Sequence, residues 1–362
     1  MSNIESLYDL FELVGCKATF YDLGRHIVKM TPQEVIQFDR KQQAYPYPFR
    51  QQASMAVVLQ PQQAQNPPLQ AASTHSDAVI WFIRLPIDEK GKLNLGTRDH
   101  LIKSIVDKIV HKGEQSDLTN ALEDNPYAFQ PDPERMACFH AKLSYQMNLA
   151  SSSYLDDVLT YLKGELEATD TSWQQLGLQG IADLAVRAQE KSYRLLIEKA
   201  LSEAPMPVAL ALAKALEHEL LDSTYLDFIV QRFKQATDSQ FKAALIRAVS
   251  RGEGDQALSQ TLQLSLICGE KMATDAQLEL IVAVVAKCPH WLAKDAELLR
   301  LSMENLAQRD DGFAAFNKIA TELTHTPAVH GALWALFRDN ERSARLAQAI
   351  SSLFTKTPQA LQ

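Results

Sequence analysis

The most constraining feature of the sequence is an alternation of two helical textures in its C-terminal part. Short Ala-rich apolar segments recur roughly every 27–38 residues, and they begin at Ile181, Ala209, Ala243 and Leu280. Bulkier and more polar segments lie between them and begin at Tyr193, Tyr225, Leu258 and Leu298. Alanine lets neighbouring helices approach closely, and larger side chains fill the spaces between pairs. The alternation therefore predicts paired helices that stack along the chain.

This texture runs for about 170 residues from Ile181 onward and resembles that of HEAT-type helical repeats. The resemblance implies an α-solenoid, in which helical hairpins stack into an extended surface. The periods are shorter than HEAT repeats usually show, and the tetratricopeptide pattern fits less well because Ala and Gly do not fall at its fixed offsets. We expect residues 134–362 to form a mainly α-helical repeat domain, with an irregular helical bundle as the alternative.

Residues 1–123 show a different pattern, which predicts a small α+β domain. Apolar residues at helical spacing predict a helix over 4–13. Two short runs on either side of Leu23-Gly24 predict a tight hairpin. Thr31-Pro32-Gln33-Glu34 is a capping-box sequence with Pro at the first helical position, so a helix should continue to about Phe38.

Two strands and one further helix complete the predicted N-terminal domain. Residues 53–60 and 78–85 are short runs rich in β-branched or aromatic side chains and bounded by breakers, which predicts strands. Residues 61–77 between them are rich in Gln, Pro, Ala and Ser, so we expect a mobile loop. The segment 97–111 opens on Thr97 and carries apolar residues on one face, which predicts an amphipathic helix.

Residues 124–133 are predicted to be a connection between the two domains, because closely spaced prolines disfavour helix in the residues before them. Tyr127 and Phe129 in this connection either contact a partner or dock against the neighbouring domain, and docking is the favoured interpretation. With this segment and the order of elements, the whole chain resembles an uncharacterised bacterial family defined by a domain of unknown function. That resemblance implies no activity and assigns no residue a role.

Composition and charge restrict the class of function. The chain has 46% hydrophobic residues and a net charge of −8 that is spread over both halves, so neither half is a basic nucleic-acid module. We see no transmembrane stretch and no export signal, and we therefore expect a cytoplasmic protein. The cysteines Cys16, Cys138, Cys268 and Cys288 form no paired motif and are interpreted as reduced core residues.

The sequence contains no complete catalytic, metal-binding or nucleotide-binding motif. His325 and His330 are five apart with Pro327 between them, which does not match a helical zinc motif. Cys288-Pro289-His290 has no evident third group to orient a thiol and imidazole pair. We therefore expect no catalytic residue, no metal site and no cofactor.

Three groups of charged residues are interpreted as surface or helix-end residues and not as functional sites. Glu217-His218-Glu219 is interpreted as solvated surface at the polar end of a helix, since adjacent residues point in different directions. Asp156-Asp157 and Asp310-Asp311 are interpreted as carboxylates at helix starts, where they favour the positive end of the helix dipole. Arg251-Gly252-Glu253-Gly254-Asp255 lacks the residues of a phosphate loop and is expected to end a helix.

Four basic residues remain as candidates for partner binding. Lys214, Arg247, Arg251 and Lys287 fall late in the Ala-rich segments, where they compensate the helix dipole and would also form a basic stripe on the concave face of a solenoid. Our leading hypothesis is a non-enzymatic scaffold or adaptor whose helical-repeat surface binds a protein or peptide and whose N-terminal α+β domain supplies a second contact. Tyr127 and Phe129 are further candidates for partner binding. The alternatives are nucleic-acid binding along the concave face and an enzyme with a pocket between the domains.

Overall fold

The computed structural model describes residues 6–13, 15–61, 78–111, 118–164, 171–267, 274–309 and 312–355. The chain divides into two compact units, Met1–Pro131 and Asp132–Gln362. Residues 62–77 of the predicted mobile loop lie outside the described residues, as do Cys268 and Asp310-Asp311. Among the described residues, no helix is long and apolar enough to cross a membrane.

The first unit is built on a four-stranded antiparallel sheet with the strand order β2-β1-β3-β4, which confirms the predicted combination of a small sheet with helices. Its strands are β1 (Cys16–Asp22), β2 (Val28–Lys29), β3 (Gln52–Pro61) and β4 (Val79–Pro86). Its helices are α1 (Leu7–Leu13), α2 (Pro32–Asp39) and α3 (Leu95–His111). Alternating apolar residues from β1, β3 and β4, among them Phe20, Val57 and Trp81, are buried in the core of this unit.

The predicted hairpin is present, but its connection is longer than expected. β1 and β2 pair antiparallel with Tyr21 opposite Lys29 and Asp22 opposite Val28, so residues 23–27 form the link in place of a two-residue turn. The Asp22 carboxylate accepts hydrogen bonds from the Gly24 amide at 3.0 Å and from the Tyr45 hydroxyl at 2.7 Å. These bonds hold the chain in a local turn and keep it from entering the second strand directly.

The start of α2 follows the sequence prediction closely. The Thr31 hydroxyl accepts from the Glu34 amide at 3.2 Å, and Glu34 Oε2 accepts from the Thr31 amide at 2.7 Å, which completes the capping box. The start of α3 was predicted two residues too late. Asn94 Oδ1 accepts from the Thr97 amide at 3.2 Å, so Asn94 takes the capping role and the helix begins at Leu95.

The described residues of the second unit form helices joined by short connections, which confirms a helix-rich C-terminal region. In chain order the helices are α4 (Pro133–Gln146), α5 (Tyr154–Lys163), α6 (Leu178–Ala185), α7 (Lys191–Glu203), α8 (Met206–Leu216), α9 (Ser223–Gln235), α10 (Ser239–Ala248), α11 (Gln256–Ile267), α12 (Thr274–Lys287), α13 (Pro289–Lys294), α14 (Ala296–Arg309), α15 (Ala314–Thr324), α16 (Pro327–Arg338) and α17 (Ala344–Thr355).

Helices of the same texture contact one another along the second unit, and each also packs against helices of the other texture. The Ala-rich helices α6, α8, α10 and α12 pack successively against one another, and α4 packs against α6 at one end of this row. Bulkier helices also meet, with α9 on α11 and α11 on α14. The close approach of α6 to the start of α5 requires glycine at position 180. A Cβ there would lie 2.2 Å from the carbonyl oxygen of Tyr154.

Candidate functional site: a charge cluster at the end of helix α8

The residues that follow α8 are buried, so the prediction of a solvated Glu217-His218-Glu219 surface is wrong. Glu217 is 1% exposed and His218 is 4% exposed. These two residues are buried because α4, α6 and α10 all pack against α8. Polar groups in such a position need partners from the surrounding helices.

Glu217 receives two of these partners. Its Oε2 accepts from Arg247 Nε at 2.6 Å, and its Oε1 accepts from Lys287 Nζ at 2.9 Å. Burial by itself raises the pKa of Glu217, but the positive charges of Lys287 and Arg247 outweigh it and hold the pKa below the ordinary value. The carboxylate is therefore ionised at neutral pH and neutralises two cations at once.

Lys287 ends α12 and is 9% exposed. Burial lowers the pKa of this lysine to about 8, although Glu217 acts in the opposite direction. The side chain is thus a buried structural cation whose main partner is Glu217. It is not an exposed cation of the kind that the sequence prediction of a basic stripe required.

The carbonyl oxygen of His218 is held by two more cations. It accepts from Lys142 Nζ at 2.8 Å and from Arg251 Nη1 at 2.6 Å. Lys142 also donates to Glu219 Oε1 at 2.7 Å, and burial lowers the pKa of Lys142. His218 lies two residues beyond Leu216, the last residue of α8, so these bonds satisfy a carbonyl oxygen in the turn that follows the helix.

The imidazole of His218 is neutral. Burial first, and then the positive charges of Arg135, Lys287, Lys142 and Arg247, lower its pKa well below the ordinary value. Its Nε2 lies 3.8 Å from Glu217 Oε1. Its Nδ1 is buried and has no hydrogen-bond partner among the described residues, which is uncommon for a polar atom in a protein interior.

We call this group of charged side chains the charge cluster. Its cations are Arg135, Lys142, Lys214, Arg247, Arg251 and Lys287, and its carboxylates are Asp132, Glu134, Glu217 and Glu219. Six cationic side chains thus face four carboxylates, whereas the whole chain carries a net charge of −8. The cluster is a locally positive region in an acidic protein.

A small recess of about 90 Å³ opens beside the charge cluster and has both polar and apolar walls. Arg135, Lys214, Arg247 and His218 line it, together with apolar side chains of α6 and α8. Lys214 Nζ lies 3.1 Å from Glu134 Oε1, and both side chains are partly exposed. The recess therefore connects the buried part of the cluster with the surface.

Cys138 also lines the recess. Burial first, and then the charges of Glu217 and Glu219, raise the pKa of this thiol to about 12. The thiol is protonated at neutral pH and is therefore a poor nucleophile and a poor metal ligand.

The structure brings the four predicted basic residues together, since Lys214, Arg247, Arg251 and Lys287 all belong to the charge cluster. The sequence predicted an exposed basic stripe, whereas the structure places these residues in a cluster with carboxylates. Each of these side chains contacts a carboxylate or a carbonyl oxygen, and Lys287 is buried.

The predicted aromatic contacts lie in the first unit. Phe129 donates its amide to the Phe82 carbonyl at 3.1 Å, and the Arg84 amide donates to the Tyr127 carbonyl at 2.8 Å, so the segment continues alongside β4. The Arg84 guanidinium lies over the Phe129 ring at 4.2 Å. The Tyr127 hydroxyl lies 3.1 Å from His100 Nδ1. Both aromatic residues thus contact their own unit.

Sequence reasoning missed Lys142 and Arg135 and assigned His218 to the wrong environment. Lys142 carried a usable signal, because it lies three residues after Phe139 and four after Cys138, on the apolar stripe of its helix. A lysine at such a position is buried with a partner or extends its charge to the surface. The identity of the partner, Glu219, depends on a contact 77 residues away along the chain.

The motifs set aside in the sequence have local partners. His290 Nε2 lies 2.8 Å from the Gly252 carbonyl, and Cys288 is fully buried. His325 Nδ1 lies 2.7 Å from the Thr321 carbonyl, and His330 Nδ1 lies 2.7 Å from the Thr324 carbonyl. Among the described residues, no group of three or more His, Cys, Asp or Glu is arranged to hold a metal ion.

Asp156 and Asp157 lie in the first turn of α5, which confirms their prediction as carboxylates at a helix start. The glycine-containing segment after α10 follows the end of that helix, as expected, and Asp255 accepts from the Leu258 amide at 2.7 Å to cap α11. Both features are explained by helix ends.

Comparison with known proteins gave one match. The sequence model of a family described as "Protein of unknown function (DUF3549)" matches residues 2–354. No curated protein and no solved structure matches the chain significantly.

Proposed function

Because the chain belongs to the DUF3549 family, whose description names no activity, we propose a function from the charge cluster and its surroundings. In this proposal the second unit is a non-enzymatic α-solenoid scaffold. It holds a protein or peptide partner against the row of Ala-rich helices α6, α8, α10 and α12, and the recess beside α8 is its main contact.

The packing of the helices supports the solenoid part of the proposal. Each Ala-rich helix from α6 to α12 contacts the next Ala-rich helix, and the helices between them in sequence are bulkier. Stacked hairpins produce this pattern because each repeat contacts mainly its neighbours. Such a stack presents one row of helices as an extended surface.

The recess is the observation that carries the proposed interaction. Residues from α4, α6, α8 and α10 line it, so a ligand bound there touches several successive helices. It combines apolar walls with partly exposed Lys214 and Arg247, and the side chain of Leu178 at its edge is 41% exposed. Binding surfaces for peptides need both apolar contact and directed polar groups.

The alternatives receive less support from the same residues. Phosphate binding needs cations that are free to neutralise the ligand, whereas Glu217 pairs with Arg247 and Lys287, and Glu134 pairs with Lys214. An enzyme needs an activated nucleophile or a base that titrates near neutral pH. In this recess the Cys138 thiol is protonated and the His218 pKa lies well below its ordinary value.

Photo-crosslinking in cells tests this function. A photoreactive amino acid at Leu178 reports on the recess, and the same amino acid at Leu195 reports on α7, where the native leucine is 73% exposed and does not line the recess. We expect discrete adducts with a protein partner from position 178 and fewer from position 195. Equal adducts from both positions, or none from position 178, would overturn the proposed function.

A further inference from the structure

We propose that the first unit binds an extended segment of a partner protein as an added strand beside β1. The segment alternates apolar and acidic residues, and its acidic side chains lie beside Lys17 and Lys29. This inference concerns the first unit and is independent of the scaffold function proposed for the second unit. It follows from the pairing of β1, from a groove beside that strand and from the charge at the rim of the groove.

One edge of β1 is paired over only part of its length. β1 is seven residues long, but β2 pairs only with its last two residues. The Met30 amide adds a hydrogen bond to the Phe20 carbonyl at 2.9 Å, and the chain then enters α2. In this register Pro32 would lie opposite Ala18, and proline has no N–H to donate. β2 therefore cannot continue along β1.

The main chain of Ala18 faces this unpaired part of the edge. Leu23, immediately after β1, donates its amide to the Ser54 carbonyl of β3 at 2.7 Å, whereas the Phe20 carbonyl accepts from Met30 on the other side. Successive residues of an antiparallel strand direct their main-chain polar groups to opposite edges, so Ala18 faces away from β3. Among the described residues, no main-chain group pairs with Ala18 on that side. Such an edge is a template for another strand.

A groove of about 450 Å³ follows the same edge, and we call it the edge groove. Apolar residues of α1 and α2, among them Phe11 and Val35, line it together with the five consecutive residues Cys16–Phe20. A pocket on one face of a strand touches alternate residues, because successive side chains point to opposite faces. Five consecutive residues therefore indicate that the edge groove runs along the edge of β1 and meets its main chain. Its volume lies within the range of about 300–1,000 Å³ that is usual for ligand pockets, which leaves room for several apolar side chains.

The two faces of the sheet differ at this edge, and the difference specifies the alternation of the ligand. Phe20 is buried with α1 and α2, and Ala18 packs against the same core. Lys17 points to the opposite face, and Lys29 lies on that face as well because it pairs with Tyr21. In an added strand, the residue opposite Ala18 points into the edge groove and the next residue points towards the lysines. Main-chain bonds and alternate side-chain contacts together are the usual means by which a sheet edge recognises a peptide.

The charge at the rim favours acidic residues at the positions that face the lysines. Lys17 and Lys29 are both exposed, both line the edge groove, and neither forms an ion pair with another described residue. One carboxylate, Glu12, also lines the edge groove. The rim is therefore net positive although the chain as a whole carries a charge of −8. An acidic side chain of the ligand meets cations that are available to pair with it.

The test uses the full chain and four synthetic peptides, with affinities measured by isothermal titration calorimetry. The probe is acetyl-Thr-Val-Glu-Val-Glu-Val-Thr-amide, and a second peptide has lysine in place of both glutamates. Two further peptides keep the side chains of the probe and carry N-methyl groups on either the valines or the glutamates. A strand directs alternate N–H groups to one edge, so each methylated peptide is blocked on a different edge.

We expect one methylated peptide to bind like the probe and the other to bind at least about tenfold more weakly. The lysine peptide should bind at least about threefold more weakly than the probe. Hydrogen exchange resolved to single amides locates the added strand. At a free probe concentration about ten times the Kd, the Ala18 amide should exchange about tenfold more slowly, and the amides of α16 in the second unit should be unchanged.

A charge reversal tests the lysines. Lys17→Glu should weaken binding of the probe about three- to tenfold and strengthen binding of the lysine peptide. The matched control is Lys103→Glu, because Lys103 is exposed on α3 and does not line the edge groove. This control should change neither affinity.

Several outcomes would overturn the inference. Equal affinity of the two methylated peptides would show that the main chain is not recognised, and absence of probe binding would remove the site. Binding that leaves exchange at Ala18 unchanged would place the peptide elsewhere. Equal affinity of the probe and the lysine peptide would remove the role of the lysines. A dimeric free chain in which the Ala18 amide is protected only in the dimer would make the occupant a second copy of the chain. Crosslinking at position 178 tests the second unit separately.

Discussion

Replacing Glu217 with glutamine removes the charge at the centre of the cluster and keeps the size of the side chain. Arg247 and Lys287 then face a neutral amide in place of the carboxylate they share. Removing one partner of a buried ion pair is costly because the remaining charges are left without compensation in a region of low polarity. Glu217→Gln should therefore destabilise the second unit more than a charge removal at the surface.

The magnitude follows from the burial of the partner. With Glu217 present, the pKa of Lys287 is lowered to about 8 from 10.5, so keeping the lysine charged at neutral pH already costs on the order of 3 kcal/mol. Without Glu217 that cost grows. Breaking a buried pair typically costs about 3–5 kcal/mol, and we expect Glu217→Gln to fall in this range at neutral pH.

The pH dependence has a defined sign. A lysine with a lowered pKa in the folded state binds fewer protons there than in the unfolded state, so between the two pKa values stability rises with pH. In Glu217→Gln the folded-state pKa of Lys287 moves further below 8, and this window extends towards neutral pH. The defect relative to the parent protein should therefore shrink between about pH 6 and about pH 9.

Hydrogen exchange measured by mass spectrometry across a urea series gives the free energy of unfolding for peptides that cover α8, α10 and α12. The matched control is Glu253→Gln, since Glu253 forms an exposed pair with Lys294. Such pairs contribute about 0–1 kcal/mol. Losses of similar size in the two variants, or a defect that does not change with pH, would refute the reasoning.

Four further substitutions test the packing of the second unit and the stability of the first. In urea unfolding, Gly180→Ala should destabilise the second unit by about 1–3 kcal/mol, because the added Cβ on α6 meets the backbone of Tyr154. Gly331→Ala in α16 has open space around it and should stabilise the same unit by about 0.5–1 kcal/mol. A change of the same sign in both variants would contradict the packing. Burial raises the pKa of Asp39 to about 6, so stability of the first unit should fall as pH rises from about 4 to about 6. Asp39→Asn should flatten that slope in hydrogen exchange of α1 and α2, and an unchanged slope would refute it. Thr31→Ala removes the N-cap of α2 and should lower the free energy of opening of this helix, measured by hydrogen exchange, by about 1 kcal/mol. An unchanged opening free energy would show that the cap does not stabilise α2.

Much of the secondary structure was predictable because it depends on neighbours in sequence. The capping box at Thr31 uses contacts three residues apart, and the strands 53–60 and 78–85 were evident from their composition. Predictions that depended on one exact residue failed at the ends of elements. Asn94 replaced Thr97 as the start of α3, and the β1–β2 link lengthened, because nearby polar side chains compete for the same backbone groups.

The sequence by itself determined that the C-terminal part is helical and that Ala-rich and bulky segments alternate, since both follow from spacing along one helix. It also placed Lys214, Arg247 and Lys287 near helix ends. Only the tertiary structure decided that these ends meet around Glu217 and His218. Whether a charged side chain is solvated or buried depends on which helices enclose it. Glu217 and Lys287 are 70 positions apart in the sequence, so no pattern of neighbouring residues predicts their contact.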